Sequence, residues 1–110
     1  MITSVVRNAA LQGLAVLLAM TPAIAQDADL ELGKSVFVEL AQPPCALCHV
    51  LADAEAVGEI GPNLDDLKPD VERVKAAVTN GIGVMPAYEE SLTEEQIDAV
   101  AHYVASAVQK

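Results

Sequence analysis

The sequence predicts an all-α fold of three to four helices. Apolar residues recur at helical spacing in three separate stretches. Cap and stop residues bound those stretches, and no run alternates apolar and polar residues as a half-buried strand would. At 110 residues the chain holds one domain at most.

A targeting segment comes first. Arg7 gives a positive start, residues 9–20 are an apolar run too short to span a bilayer, and Thr21-Pro22 breaks it. Ala23-Ile24-Ala25 then offers the small residues of a cleavage site before Gln26. This order of features predicts a secretory signal over residues 1–25 and a working domain over 26–110, with no membrane insertion once the signal is cleaved. An uncleaved membrane anchor is the alternative.

The first helix is expected over 29–41. Gly33, Val36, Phe37 and Leu40 fall at i, i+3, i+4 and i+7, Asp27 or Asp29 can cap the start, and Pro43-Pro44 ends it. A glycine inside a helix costs up to about 1 kcal/mol relative to alanine. Close crossing by another helix would explain Gly33. The second helix is expected over 69–79, with Pro69 in its first turn, Val71, Val74 and Val78 as its stripe, and Asn80-Gly81 as its stop. The third, over 94–109, has the strongest signals. Thr93 and Gln96 form a capping box, Leu92 and Ile97 a hydrophobic staple, and Ile97, Val100, Ala101, Val104 and Val108 an inner face with Tyr103 at its edge. Residues 51–68 and 81–92 are irregular and long for so small a domain, as expected of segments that wrap something.

Composition says that something is missing from the core. The formal charge is −10, and it becomes −11 once Arg7 leaves with the signal. Nucleic acid and anionic lipid are therefore poor partners, and a docking partner should offer a basic or an apolar patch. There is no Trp, one Phe and two Tyr. A domain of this size buries only about 60% of its unfolded surface, so a prosthetic group could supply the large apolar mass the side chains lack.

The stretch "PPCALCHV", residues 43–50, holds both cysteines and one of the two histidines. Zinc would ask for four ligands, commonly as two pairs, whereas only Cys45-x-x-Cys48 is present and His102 lies far along the chain. A redox dithiol would sit beside a βαβ pattern, and a disulfide across a two-residue gap closes too small a loop to stabilise much. Covalent haem accounts for Cys45, Cys48 and His49 together. Both thiols add to porphyrin vinyl groups, and the adjacent imidazole of His49 is held beneath the iron. Export to the periplasm fits this chemistry. A second, soft and neutral ligand is expected from a separate segment. Outside residues 1–25 the sequence offers one methionine, Met85 in "NGIGVMPAYE", where Gly81 and Gly83 allow a tight path and Pro86 stiffens the exit. The alternative is that Met85 only fills a core gap.

"GKSVF", "CALCH", "GPNLDDL", "NGIGVMPAY" and the final helix bearing Tyr103 together resemble class I cytochrome c across residues 26–110. The resemblance implies that family's fold, helices wrapped around one covalently bound haem c, with Cys45 and Cys48 as thioether anchors and His49 and Met85 on the iron. It implies that Gly33 and Phe37 pack against Tyr103 and that the Pro62 carbonyl accepts a hydrogen bond from the other ring nitrogen of His49. It also implies that Leu64 and Leu67 cover the haem and that Tyr88 braces the methionine loop. It gives His102 no role. The chain lacks the tryptophan that many relatives place near a haem propionate, which leaves the propionate partners open. It also lacks the lysine ring of the basic mitochondrial members, so their acidic partners do not carry over.

At finer grain, residues 45–70 and 76–88 resemble the small haem subunit of bacterial sulfite dehydrogenases, whose partner is a molybdenum-cofactor subunit. The function this implies is one-electron transfer from that subunit towards a downstream cytochrome or oxidase, with no catalysis by the chain alone. The alternatives are a free-standing shuttle for another dehydrogenase or oxidase, a haem sensor or peroxidase-like enzyme, and a purely structural subunit.

Overall fold

The computed structural model describes residues 13, 15–17 and 23–110. The secretory signal predicted over 1–25 lies outside them apart from residues 13, 15–17 and 23–25. Helix α1 spans Ala23–Ser35 and continues as one π turn over Val36–Leu40. It starts earlier than expected, with Asp27 and Asp29 inside it rather than capping it, because no Gly or Pro interrupts the sequence from Ala23 to Leu32. The Ala41 N–H donates to the Val36 carbonyl five residues back, at 3.0 Å. That wider turn shifts the register by one residue: Leu40, expected on the inner stripe, is 45% exposed, and Ala41 takes its place at 0%.

One-turn helix α2 (Cys45–Cys48) follows, then strand β1 (Val50–Leu51), a 3-10 turn (Ala52–Ala54) and strand β2 (Ala56–Val57). The strands pair antiparallel, with Val50 opposite Val57 and Leu51 opposite Ala56. Helix α3 spans Leu64–Leu67, α4 Val71–Asn80 and α5 Glu94–Ala107. The fold is mostly helical, as predicted. Five α-helices rather than three to four appear among the described residues, and the small ribbon was not expected. A one-turn helix and a two-residue strand are too short for periodicity to register.

The long helices follow their capping chemistry. Asp70, not Pro69, begins α4: its Oδ1 accepts from the Arg73 N–H at 2.8 Å. In α5 the Thr93 hydroxyl accepts from the Gln96 N–H at 3.1 Å, and the Thr93 N–H donates to Gln96 Oε1 at 2.9 Å. Leu92 and Ile97, the staple pair, are both buried.

Helix α1 crosses α5 at Gly33. A Cβ there would collide with the Ala99 carbonyl oxygen and lie 2.5 Å from Tyr103 Cβ. One turn on, the Phe37 and Tyr103 rings meet edge to face with centroids 6.1 Å apart. Gly33→Ala is expected to cost about 3 kcal/mol of holoprotein stability, because the obstruction is helix backbone that cannot rotate away. The urea midpoint reads that loss, and an unchanged midpoint would mean that the helices separate freely.

Asp53, in the 3-10 turn, ties the ribbon to this crossing. Its Oδ1 accepts from Lys110 Nζ at 2.8 Å, its Oδ2 accepts from the Tyr103 hydroxyl at 2.8 Å, and its carbonyl accepts from Lys34 Nζ at 3.0 Å. The Lys110 and Tyr103 donors hold the Asp53 carboxyl below its ordinary range. Burial and that carboxylate push the Tyr103 hydroxyl well above its own.

Candidate functional site

Helices α2, α3, α4 and α5 and the loop after α4 surround a cavity of about 370 Å³. Phe37, Leu64, Val78, Val100 and Val104 form its apolar floor. All eight residues singled out from the sequence line it: Cys45, Cys48, His49, Pro62, Leu64, Leu67, Met85 and Tyr88.

The cysteine wall is built by local backbone bonds. Pro44, fixed in an extended conformation, precedes α2, and the His49 N–H closes the turn on the Cys45 carbonyl at 3.0 Å. The Gly61 N–H donates to the Cys48 carbonyl at 2.7 Å, folding residues 58–62 back over the motif. His49 Nδ1 lies 2.7 Å from the Pro62 carbonyl oxygen. A carbonyl only accepts, so Nδ1 is the donor of this pair, and Nε2 is the ring nitrogen left to face a metal. A Cβ on Gly61 would sit 2.6 Å from His49 Cε1, so only glycine lets this segment lie against the imidazole.

Met85 enters from the opposite loop on a tight turn. The Ile82 N–H donates to the Met85 carbonyl at 3.1 Å, and the Met85 N–H donates back to Ile82 at 2.9 Å. Gly81 opens this turn at φ +74°, and a Cβ there would lie 2.7 Å from the Met85 carbonyl oxygen. Tyr88 donates its hydroxyl proton to the Pro43 carbonyl at 2.6 Å, joining the methionine loop to the entrance of α2. Burial pushes that hydroxyl up to about 12, so it remains a donor at every working pH.

Burial also pushes the Cys45 thiol up to about 11. Among the described residues no three His, Cys, Asp or Glu side chains gather to hold a metal ion. A peroxidase-like or sensor reading would need His102 above the iron. His102 lies instead on the exposed face of α5, its Nδ1 2.8 Å from the Asp98 carbonyl, outside the cavity. A thiol pair, one imidazole with its far nitrogen fixed, one thioether and apolar walls fit haem c.

Sequence reasoning did not find Gly61 or Arg73, which also line the cavity. The signal for Gly61 was its place before Pro62. For Arg73 it was a cation beside Val74, Ala77 and Val78 on one helical face.

The family described as cytochrome c oxidase, cbb3-type, subunit III matches residues 28–104. The chain belongs to the class I c-type cytochromes, electron carriers with one covalently bound haem c. It is 63% identical to the solved c-type cytochrome SorU from Sinorhizobium meliloti, with a TM-score of 0.74 over 76% of this chain and 95% of that one. Cytochrome c6 from Leptolyngbya boryana is 36% identical over 87 residues, covering 76% of this chain and 98% of its own. Cytochrome c6 from Gloeothece citriformis is 36% identical over 95 residues, covering 83% and 81%. No helix among the described residues is long and apolar enough to cross a membrane.

Proposed function

We propose that this cytochrome is a periplasmic carrier whose iron is held by His49 Nε2 and Met85 Sδ, with Cys45 and Cys48 as thioether anchors. We further propose that it is the electron-accepting subunit of a sulfite dehydrogenase whose catalytic subunit carries a molybdenum cofactor. The observation that carries the ligation is that His49 and Met85, distant in sequence, line one apolar cavity with both cysteines.

Bound haem supplies a one-electron ferric–ferrous couple. The protein's residues hold that couple still. The Pro62 carbonyl fixes the His49 ring, the Ile82–Met85 turn and Tyr88 fix the thioether, and the apolar floor excludes water. With His49 and Met85 both holding the iron, no site on it would be left open, and electron transfer would need no ligand exchange. Leu47, Val57 and Ile60 are exposed beside the cysteine turn and offer apolar contact to a partner.

The sulfite reading is supported by the likeness of residues 45–70 and 76–88 to the small haem subunits. Its test is purification from the native source. Co-elution with a molybdenum subunit and reduction of the haem by sulfite are expected. Elution alone, without molybdenum and unmoved by sulfite, would overturn it. The cytochrome c6 relatives, matched over most of their length, favour a free shuttle as the second reading. Reduction by a different dehydrogenase would support that one.

A further inference from the structure

We propose that Arg73 binds a haem propionate through its guanidinium. The inference rests on the reading that Cys45, Cys48, His49 and Met85 hold the haem. Haem brings two carboxylates into this site, and a carboxylate facing apolar walls without a partner is strongly unfavourable. Among the described residues Arg73 is the one charged side chain lining the cavity. The chain has no Trp to serve as an alternative donor.

The other described cations are already engaged. Lys34 donates to the Asp53 carbonyl at 3.0 Å, and Lys68 to the Val108 carbonyl at 2.7 Å. Lys75 pairs with Asp98 at 2.6 Å, and Lys110 with Asp53 at 2.8 Å. The Tyr88 hydroxyl is committed to Pro43. The Arg73 backbone N–H donates to Asp70 Oδ1 at 2.8 Å, and among the described residues no hydrogen bond or ion pair engages its guanidinium. Its guanidinium therefore keeps the planar fork of donors that matches a carboxylate in two parallel bonds.

Placement agrees with the chemistry of the macrocycle. Vinyl and propionate substituents occupy opposite halves of the porphyrin. The thiols that meet the vinyls stand on α2, and Arg73 stands on a different wall, α4. A cation held on a propionate also acts on the iron. It offsets a negative charge that would otherwise stabilise the ferric state, so it raises the reduction potential.

The test compares purified holoproteins: the parent, Arg73→Gln, Arg73→Lys and Lys75→Gln. The propionate bending bands of the resonance Raman spectrum and the reduction potential are read for each. In Arg73→Gln the bands should shift and the potential should fall. Arg73→Lys should give intermediate bands and recover most of the potential, because the charge remains and the fork does not. Lys75→Gln removes the same charge outside the cavity and should leave the bands in place. Bands unmoved in both Arg73 variants, or a potential change in Arg73→Gln no larger than in Lys75→Gln, would overturn the proposal. Should Arg73→Gln yield no holoprotein, the bands of Arg73→Lys decide alone. Failure of the ligand reading shows separately, as a parent protein without covalent haem or without a low-spin visible spectrum.

Discussion

Replacing Cys45 and Cys48 together by alanine is expected to give a colourless chain that does not fold at room temperature. The thiols themselves contribute little volume, so the effect comes from losing what they anchor. Without the anchored group the apolar walls of a cavity of about 370 Å³ face water, which at about 25 cal/mol per Å² of apolar surface withholds on the order of 5 kcal/mol. Whole domains are stable by only about 5–15 kcal/mol, with small ones at the low end. No single element could be lost to relieve that deficit. Phe37 of the π turn, Val78 of α4 and Val100 and Val104 of α5 all face the void, so the walls are the core of the molecule. Far-UV circular dichroism should show most of the helical signal gone, with no visible absorbance. A colourless double variant with native helicity and a cooperative melt would show that the helices need no prosthetic group.

The same arithmetic explains what could be read in advance. An aromatic-poor chain whose apolar residues still repeat at helical spacing implies a core completed by something else, and the missing mass is the cavity. The candidate ligands were legible because their residue types are scarce, with two Cys, two His and one Met outside residues 1–25. Helix α5 was legible because its signals are local: Thr93 and Gln96 satisfy each other across one turn. The register of α1 was not. The π turn at Val36–Leu40 places Phe37 edge to face with Tyr103, in a helix remote in sequence, and no local pattern announces it. Gly61 and Arg73 were missed for a related reason. A glycine in a loop and an arginine in a first helical turn look ordinary until another segment is laid beside them.

Met85→Ala is expected to keep the haem and the fold while lowering the reduction potential by about 0.2 V, within the roughly 0.8 V range that axial ligands span. A thioether is a neutral, soft donor that favours ferrous over ferric iron, so its loss favours the oxidised state. The substitution is a clean one because the turn that presents Met85 is made of backbone. The Ile82–Met85 bonds at 3.1 and 2.9 Å, the positive φ of Gly81 and the Tyr88–Pro43 bond do not use the methionine side chain. His49 stays in place as well, since its orientation comes from the Pro62 carbonyl at 2.7 Å. The two outcomes therefore separate. If His49 and Met85 hold the iron as proposed, the parent should not bind carbon monoxide when reduced at neutral pH, and the variant should bind it within mixing time. A variant with the parent's potential and no affinity for carbon monoxide would mean that the iron draws its upper ligand from elsewhere. The nearest other imidazole, His102, faces solvent from α5 with its Nδ1 2.8 Å from the Asp98 carbonyl. Reaching the cavity would require α5 to leave Phe37 and Gly33, and the same urea midpoint that reads Gly33→Ala would register that disruption.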